Sequence, residues 1–277
     1  MSSVLFDVPG PRARARQRVY TVAAVVLLGA LAGWALWKLW QEEQITPDQW
    51  TAFTEPTIIS GLAEGLAQTL AAAAVAILLA IGFGSACAAA RLSDHRPLRW
   101  IGTLVVEFFR AVPVLLQMLF LFYAFGNVIG AYWALVLGLM LYNGSVLAEI
   151  FRAGILAVPR GQSEAGYSIG LRKSQVTRLV LAPQALRTML PAIISQCVVA
   201  LKDTALGYII GAAGIVEVAR RIYYSPLYNN PFAVAVTLAA IFIVINYALS
   251  RLAVYLESRL RREGKQAVHI HAMHQQG

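Results

Sequence analysis

Apolar residues in this chain come in runs as long as a membrane is thick, and polar residues gather between the runs. A hydrocarbon core about 30 Å deep needs about 20 apolar residues in a helix. Six stretches meet that length: 19–40, 61–90, 101–125, 131–151, 190–213 and 231–256. The pattern predicts an all-α integral membrane protein with six transmembrane helices. Several runs exceed the minimum, so tilt or partial exposure is expected.

The polar stretches set the orientation. Arg12, Arg14, Arg16 and Arg18 precede the first run, and Arg91, Arg96 and Arg99 follow the second. Arg160, Arg172, Lys173, Arg178 and Arg187 follow the fourth, and Arg259, Arg261, Arg262 and Lys265 lie near the end of the chain. These alternate with residues 41–60, which hold Glu42, Glu43, Asp48 and Glu55 but no Lys or Arg, and with the uncharged turn 127–130. By the positive-inside rule both termini are cytoplasmic. Arg220 and Arg221 depart from the alternation. Trp34, Trp37, Trp40 and Trp50 fall at the expected outer boundary, as an aromatic belt does. The first run is longer than the roughly 7–15 residues of a signal-peptide core, and no small-x-small cleavage site precedes the acidic loop, so it is expected to be a retained helix.

Composition narrows the class. The chain is 58% hydrophobic and 13% charged, against about 45–50% and about 25% in soluble domains. That excludes an ordinary soluble enzyme and a disordered chain. The net charge of +9 falls between apolar segments, which reads as cytoplasmic loops and not a nucleic-acid surface. Cys87 and Cys197 sit inside apolar runs and form neither a disulfide framework nor a zinc site. There is no phosphate-binding loop, so ATP is not expected to bind this chain. Gly82 and Gly84 lie in a span and read as packing positions. Ser163 has no His–Asp partners, and His269, His271 and His274 belong to a tail expected to be disordered. No catalytic residue, cofactor or metal is expected.

The longest loop, 154–187, differs from its flanks. Its residues favour a short surface helix, with Gln162 or Ser163 as N-cap, Glu164 in the first turn and Gly170 as the C-terminal stop. A second amphipathic stretch covers 174–181, and Pro183 and Pro191 punctuate the approach to the fifth run. On these residues alone the segment is either a helix shaped for a partner's groove or a solvated connector.

Glu164-Ala165-Gly166, Gly170 and Pro183 resemble the EAA motif of importer permeases of the ATP-binding-cassette class. Glu164, Ala165, Gly170 and the distance to Pro183 are kept; Gly166, Val180 and Ala182 stand where the family has Ala, Ile and Leu. The resemblance covers roughly 61–256. Gly65, Gln68-Thr69-Leu70 and Ala90-Arg91-Leu92-Ser93 resemble the first core helix of the polar amino-acid uptake branch. The stretch 107–117, Ala148-Glu149-Ile150-Phe151-Arg152-Ala153-Gly154-Ile155, Gly161-Gln162, Pro183-Gln184-Ala185 and Lys202-Asp203-Thr204-Ala205-Leu206 are similar to its other signatures.

The resemblance implies a permease core over 61–258, with a coupling segment at 154–187 in which Glu164, Ala165, Gly166, Gly170 and Pro183 meet the ATPase. The additional helix at 19–40, a basic arm at 1–18, an extracytoplasmic loop at 41–60 and a cytoplasmic tail at 259–277 surround that core. The implied setting is a bacterial plasma membrane. The implied partners are an ATPase dimer, a second permease subunit (a heterodimer being common among relatives), an extracytoplasmic binding protein and an amino acid. The added N-terminal helix and the Lys-Asp-Thr-Ala-Leu sequence resemble glutamate permeases of actinobacteria.

Charges within the runs are candidates for the substrate pathway, because Lys, Arg or Asp at the bilayer centre costs about 2.5–3.5 kcal/mol on insertion scales. Glu107 and Arg110 are three residues apart and suit a structural pair near the inner boundary or a substrate contact. Glu149 and Arg152 suit an anchor for the loop. Lys202 and Asp203, about halfway along the fifth run, point about 100° apart, so each needs another partner. Thr204 and Asn143 add uncharged hydrogen-bonding groups, although an Asn in an apolar helix more often joins helices. The competing classes are a secondary transporter or channel without ATPase subunits, with Pro113 breaking a pore helix, and a non-transporting scaffold. The first does not need the loop from Gly161 to Pro183, and charges at mid-membrane depth disfavour the second.

Overall fold

The computed structural model describes residues 10–225, 228 and 230–274, with side chains described through 251 and at 254 and 255. Every regular element among the described residues is helical. The order is α1 (Pro11–Gln41), α2 (Pro56–Arg91), α3 (Arg96–Ala111), α4 (Val114–Leu156), α5 (Arg160–Ser168), α6 (Lys173–Gln175), α7 (Ala182–Asp203), α8 (Ile215–Tyr223) and α9 (Pro231–His274). A π-helical turn, Val176–Leu181, joins α6 to α7, and 3₁₀ turns cover Pro47–Thr54 and Thr204–Ile210. Five helical stretches are long and apolar enough to cross a membrane: Pro11–Gln41, Pro56–Arg91, Val114–Leu156, Lys173–Ile210 and Pro231–Arg251.

The run expected as one helix over 101–125 is broken. Val112 is extended, as a residue before proline is driven to be, and Pro113 follows with φ −54° and ψ 137°. Helix α3 therefore ends at Ala111 and α4 begins at Val114. Gln117 repairs the break: its side-chain amide donates to the carbonyls of Phe109 at 2.8 Å and Val112 at 2.9 Å. In lipid such freed carbonyls need a partner inside the protein.

Helix α4 folds back on itself. Gly130 has φ 72° and ψ 170°, a conformation that glycine enters without a Cβ clash. Gly138 packs directly on Met118, although twenty residues of straight helix would hold them about 30 Å apart. The two arms, 114–129 and 131–156, thus form a hairpin whose bend falls in the uncharged turn expected at 127–130. Between them lies the main core: Met118, Ala134, Leu135, Val136 and Leu139, joined by Ala72 and Ala76 of α2 and by Ile210 and Ala212.

Helix α2 packs along α4 through small residues. Ala72, Ala73, Ala76, Ala80, Gly84 and Ala88 are buried, and a methyl group on Gly84 would stand 2.7 Å from the Gly144 carbonyl oxygen. Close backbone approach of this kind is how helices gain contact where lipid offers no hydrophobic drive. Helix α1 has no buried residue.

The fifth expected helix also ends early. Pro191 sits inside α7 without stopping it. The chain tightens after Asp203, turns at left-handed Gly211 and enters the short α8. Helix α9 runs as backbone to His274, so 259–274 is helical where a disordered tail is expected from the sequence. The side chains of His269, His271 and His274 lie outside the described residues.

Candidate coupling and translocation sites

Helix α5 carries the residues of the EAA-like motif. It starts at Arg160, with Pro159 at the N-cap position, and not after Gln162 or Ser163. The Ser163 hydroxyl is instead inside the helix and donates to the Arg160 carbonyl at 2.7 Å, the back-bonding habit of serine within a turn. The C-terminal stop is at Gly170, as the sequence indicates. Its φ is 84°; its N–H bonds to the Tyr167 carbonyl at 2.9 Å, and the Leu171 N–H to the Gly166 carbonyl at 3.2 Å. That pair of bonds is a Schellman motif.

One face of α5 is seated on the rest of the loop. Gly166 is buried against Val176, and a methyl there would stand 3.0 Å from Val176 Cγ2. Glu164 and Ala165 are exposed, as are Tyr167 at 47% and Ile169 at 76%. Pro183 lies in the first turn of α7, directly after the π turn. Next to it, Gln184 donates to Gln162 at 3.2 Å and to the Val180 carbonyl at 2.9 Å. Lys173 pairs with Asp94 in the turn between α2 and α3. That hydrogen bond, foremost, holds the Asp94 carboxyl below its ordinary range. The expected amphipathic stretch 174–181 is the end of α6 and the π turn.

Three of the pathway candidates meet in one ion-pair network. Arg91, at the end of α2, reaches Glu149 of α4 at 2.9 Å and Glu107 of α3 at 3.3 Å. Arg110 approaches Glu107 at 3.6 Å, and Arg152 holds Glu149 at 2.6 Å and 3.2 Å. The Arg91 side chain is only 9% exposed. It is the hub, yet in sequence it reads as one more cation of a cytoplasmic loop; only its place at the end of an apolar run hinted at more.

The remaining candidates lie elsewhere. Asn143 is 1% exposed; it donates to the Leu139 carbonyl at 3.0 Å and accepts from Gln196 of α7 at 2.7 Å. Its polar atoms are thereby engaged in joining α4 to α7. Lys202 and Asp203 are the last two residues of α7, inside the membrane-length stretch Lys173–Ile210. Lys202 is exposed and Asp203 half-buried. Thr204 is buried, donates to the Leu201 carbonyl at 2.6 Å, and lines a small cleft with Thr69, Tyr208, Gly214 and Glu217.

Around that cleft are groups the sequence did not single out. The Thr69 hydroxyl donates to the Gly65 carbonyl at 2.9 Å and accepts the Ile215 N–H at 3.0 Å, capping α8 from α2. Glu217, 8% exposed, pairs with Arg220 at 3.0 Å and Arg221 at 3.4 Å. The two arginines that break the charge alternation therefore share one carboxylate within their own helix.

The chain belongs to the family described as binding-protein-dependent transport system inner membrane component, which matches residues 79–262. The glutamate transport system permease protein GluD of Corynebacterium glutamicum is 42% identical over 226 residues, covering 79% of this chain and 82% of its own length. The L-cystine transport system permease protein TcyB of Bacillus subtilis is 32% identical, with 74% of this chain and 87% of its own covered. A crystal structure of an amino acid ABC transporter with histidines superposes with a TM-score of 0.67 at 31% identity, covering 73% of this chain and 94% of that one. This chain is accordingly a permease component of an amino-acid ABC importer in a bacterial membrane. It is a transport subunit and not an enzyme; the ATPase is a separate chain. That membership sets aside the secondary transporter, the channel and the scaffold.

Proposed function

We propose that this chain is one of two permease subunits in an importer for an acidic or polar amino acid such as glutamate, and that α5 is the element its ATPase grips. The observation that carries the reading is the construction of α5. Gly166 seats it on Val176, the Schellman turn at Gly170 ends it, and Glu164, Ala165, Tyr167 and Ile169 face outward. A short rigid helix with an exposed apolar edge suits a groove on a partner. ATP binding on the partner then shifts a two-state equilibrium between outward and inward access, because the nucleotide binds one state better.

The bend at Gly130 supports six membrane passes, since it makes two antiparallel arms of one long helix. The basic segments then fall on the cytoplasmic side, with both termini. A second permease, different in sequence, completes the pathway, and an extracytoplasmic protein delivers the amino acid. Glutamate rests on the likeness to GluD and not on charge: Arg110 is tied to Glu107, and Lys202 is exposed.

Uptake decides the substrate. The complex, reconstituted in vesicles with its binding protein, is assayed with radiolabelled glutamate, glutamine, arginine and cystine. ATP-dependent accumulation of glutamate above the others supports the assignment. Accumulation of arginine or cystine instead would overturn the substrate while leaving the class intact.

A further inference from the structure

Helix α2 is fastened at both ends. At one end Arg91 holds Glu149 at 2.9 Å, and Asp94, in the turn just beyond, holds Lys173. Glu149 lies two turns before the end of α4, which leads into α5; Lys173 follows the turn that ends α5. The two ion pairs therefore grip the chain on either side of α5. At the other end Thr69 accepts the Ile215 N–H at 3.0 Å, and a methyl on Gly65 would stand 2.9 Å from the Ile215 Cα. Helix α8 thus begins on the backbone of α2 with no slack.

Between these ends the helix is continuous. Thr69 and Arg91 are twenty-two residues apart, or about 33 Å of helix, which is the depth of the hydrocarbon core. The buried face between them is alanine and glycine apart from Cys87, packed so closely on α4 at Gly84 and Gly144 that α2 and that arm of α4 move as one body. The Thr69 hydrogen bond at one end is directional, and the ion pairs at the other end hold by charge. Helix shifts of about 1–2 Å are a known form of switching motion.

We propose that α2 is the strut that carries movement of α5 across the membrane to α8 and its cleft, with Arg91 and Asp94 as positioning residues. This rests on the reading of α5 as the ATPase contact. Ala213 is exposed and lines the cleft beside α8, so it reports the far end. In a Cys87→Ala, Cys197→Ala background, Ala213→Cys is labelled with a maleimide in the reconstituted complex, with and without ATP plus vanadate.

The expected result is a labelling rate that changes with ATP. Arg91→Met abolishes the change while the ATPase stays bound. Asp94→Lys diminishes it, and the double exchange Asp94→Lys with Lys173→Asp restores it, which a loss of folding would not allow. Should Arg91→Met fail to insert, the exposed Asp94–Lys173 pair carries the test. An unchanged ATP response in Asp94→Lys and Arg91→Met, with the ATPase present, overturns the strut alone. No ATP response in the parent background overturns it as well. Absence of the ATPase from the parent complex overturns the reading of α5 and the strut together.

Discussion

Gln196 donates its side-chain amide to Asn143 at 2.7 Å, joining α7 to α4 where Asn143 is buried. Asn143 passes the bond on to the Leu139 carbonyl, so both polar groups of its side chain are engaged within the protein. Asn143→Leu leaves the Gln196 amide without its acceptor. Loss of a buried partner is worth about 1–3 kcal/mol, and cross-helix bonds in membranes sit at the lower end. The expected outcome is a thermal midpoint lowered by several degrees in detergent, with substrate affinity unchanged. The double variant with Gln196→Leu should recover much of the loss. A changed affinity at unchanged stability would put Asn143 back on the pathway.

Gly170 turns α5 off at φ 84° with nothing within 4 Å of its missing side chain. A larger residue there is opposed by backbone geometry, about 1–2 kcal/mol for a non-glycine in the left-handed region, and by bulk on the partner-facing turn. Gly170→Arg should abolish uptake while the chain still inserts in the membrane. Normal uptake in that variant would remove the assigned role of α5.

Gly166 stands where the resembling permeases have Ala, and here it faces Val176. Alanine gains up to about 1 kcal/mol of helix propensity but presses on a fully buried Val176 from 3.0 Å. Gly166→Ala should be close to neutral, and Gly166→Leu should unseat α5 and lower ATPase recovery. Equal ATPase recovery from the Gly166→Leu complex would show that the seat is not needed.

Gly84 and Gly144 let α2 and α4 approach until only backbone separates them. Overpacking at such a contact typically destabilises by about 1–3 kcal/mol. Gly84→Leu should lower the yield of folded complex and its resistance to proteolysis. Gly82→Leu, at a position with nothing within 4 Å, should not.

Asp94 has its carboxyl held below the ordinary range by Lys173. A depressed carboxylate adds stability above its unfolded value, and that contribution fades as pH falls through the lower folded one. The difference in thermal midpoint between wild type and Asp94→Asn should therefore be constant between about pH 5 and 8, and vanish in acid. A difference that appears only above neutral pH would point to another group.

Much of this architecture is written in the sequence because membrane physics is simple to read. Length and apolarity marked where the five membrane-length stretches lie, and Gly170 announced its turn. What stayed hidden were the interruptions and the long-range partners. Pro113 was visible, but the surrounding apolar run concealed that it divides a helix. The 3₁₀ turn after Asp203 has the composition of the helix before it, which is why the end of α7 at Asp203 was not legible. Arg91 and Thr69 act through residues 58 and 146 positions away, and no local pattern encodes such a distance.

This permease should work only with an ATPase gripping α5. The direct measurement is purification of the tagged chain in mild detergent from its native host, after crosslinking in intact membranes, with the co-purifying proteins identified and counted. The account predicts a nucleotide-binding ATPase in equal amount, together with a second permease, and loss of the ATPase when Gly170 is replaced by Arg. Recovery of this chain alone would contradict it.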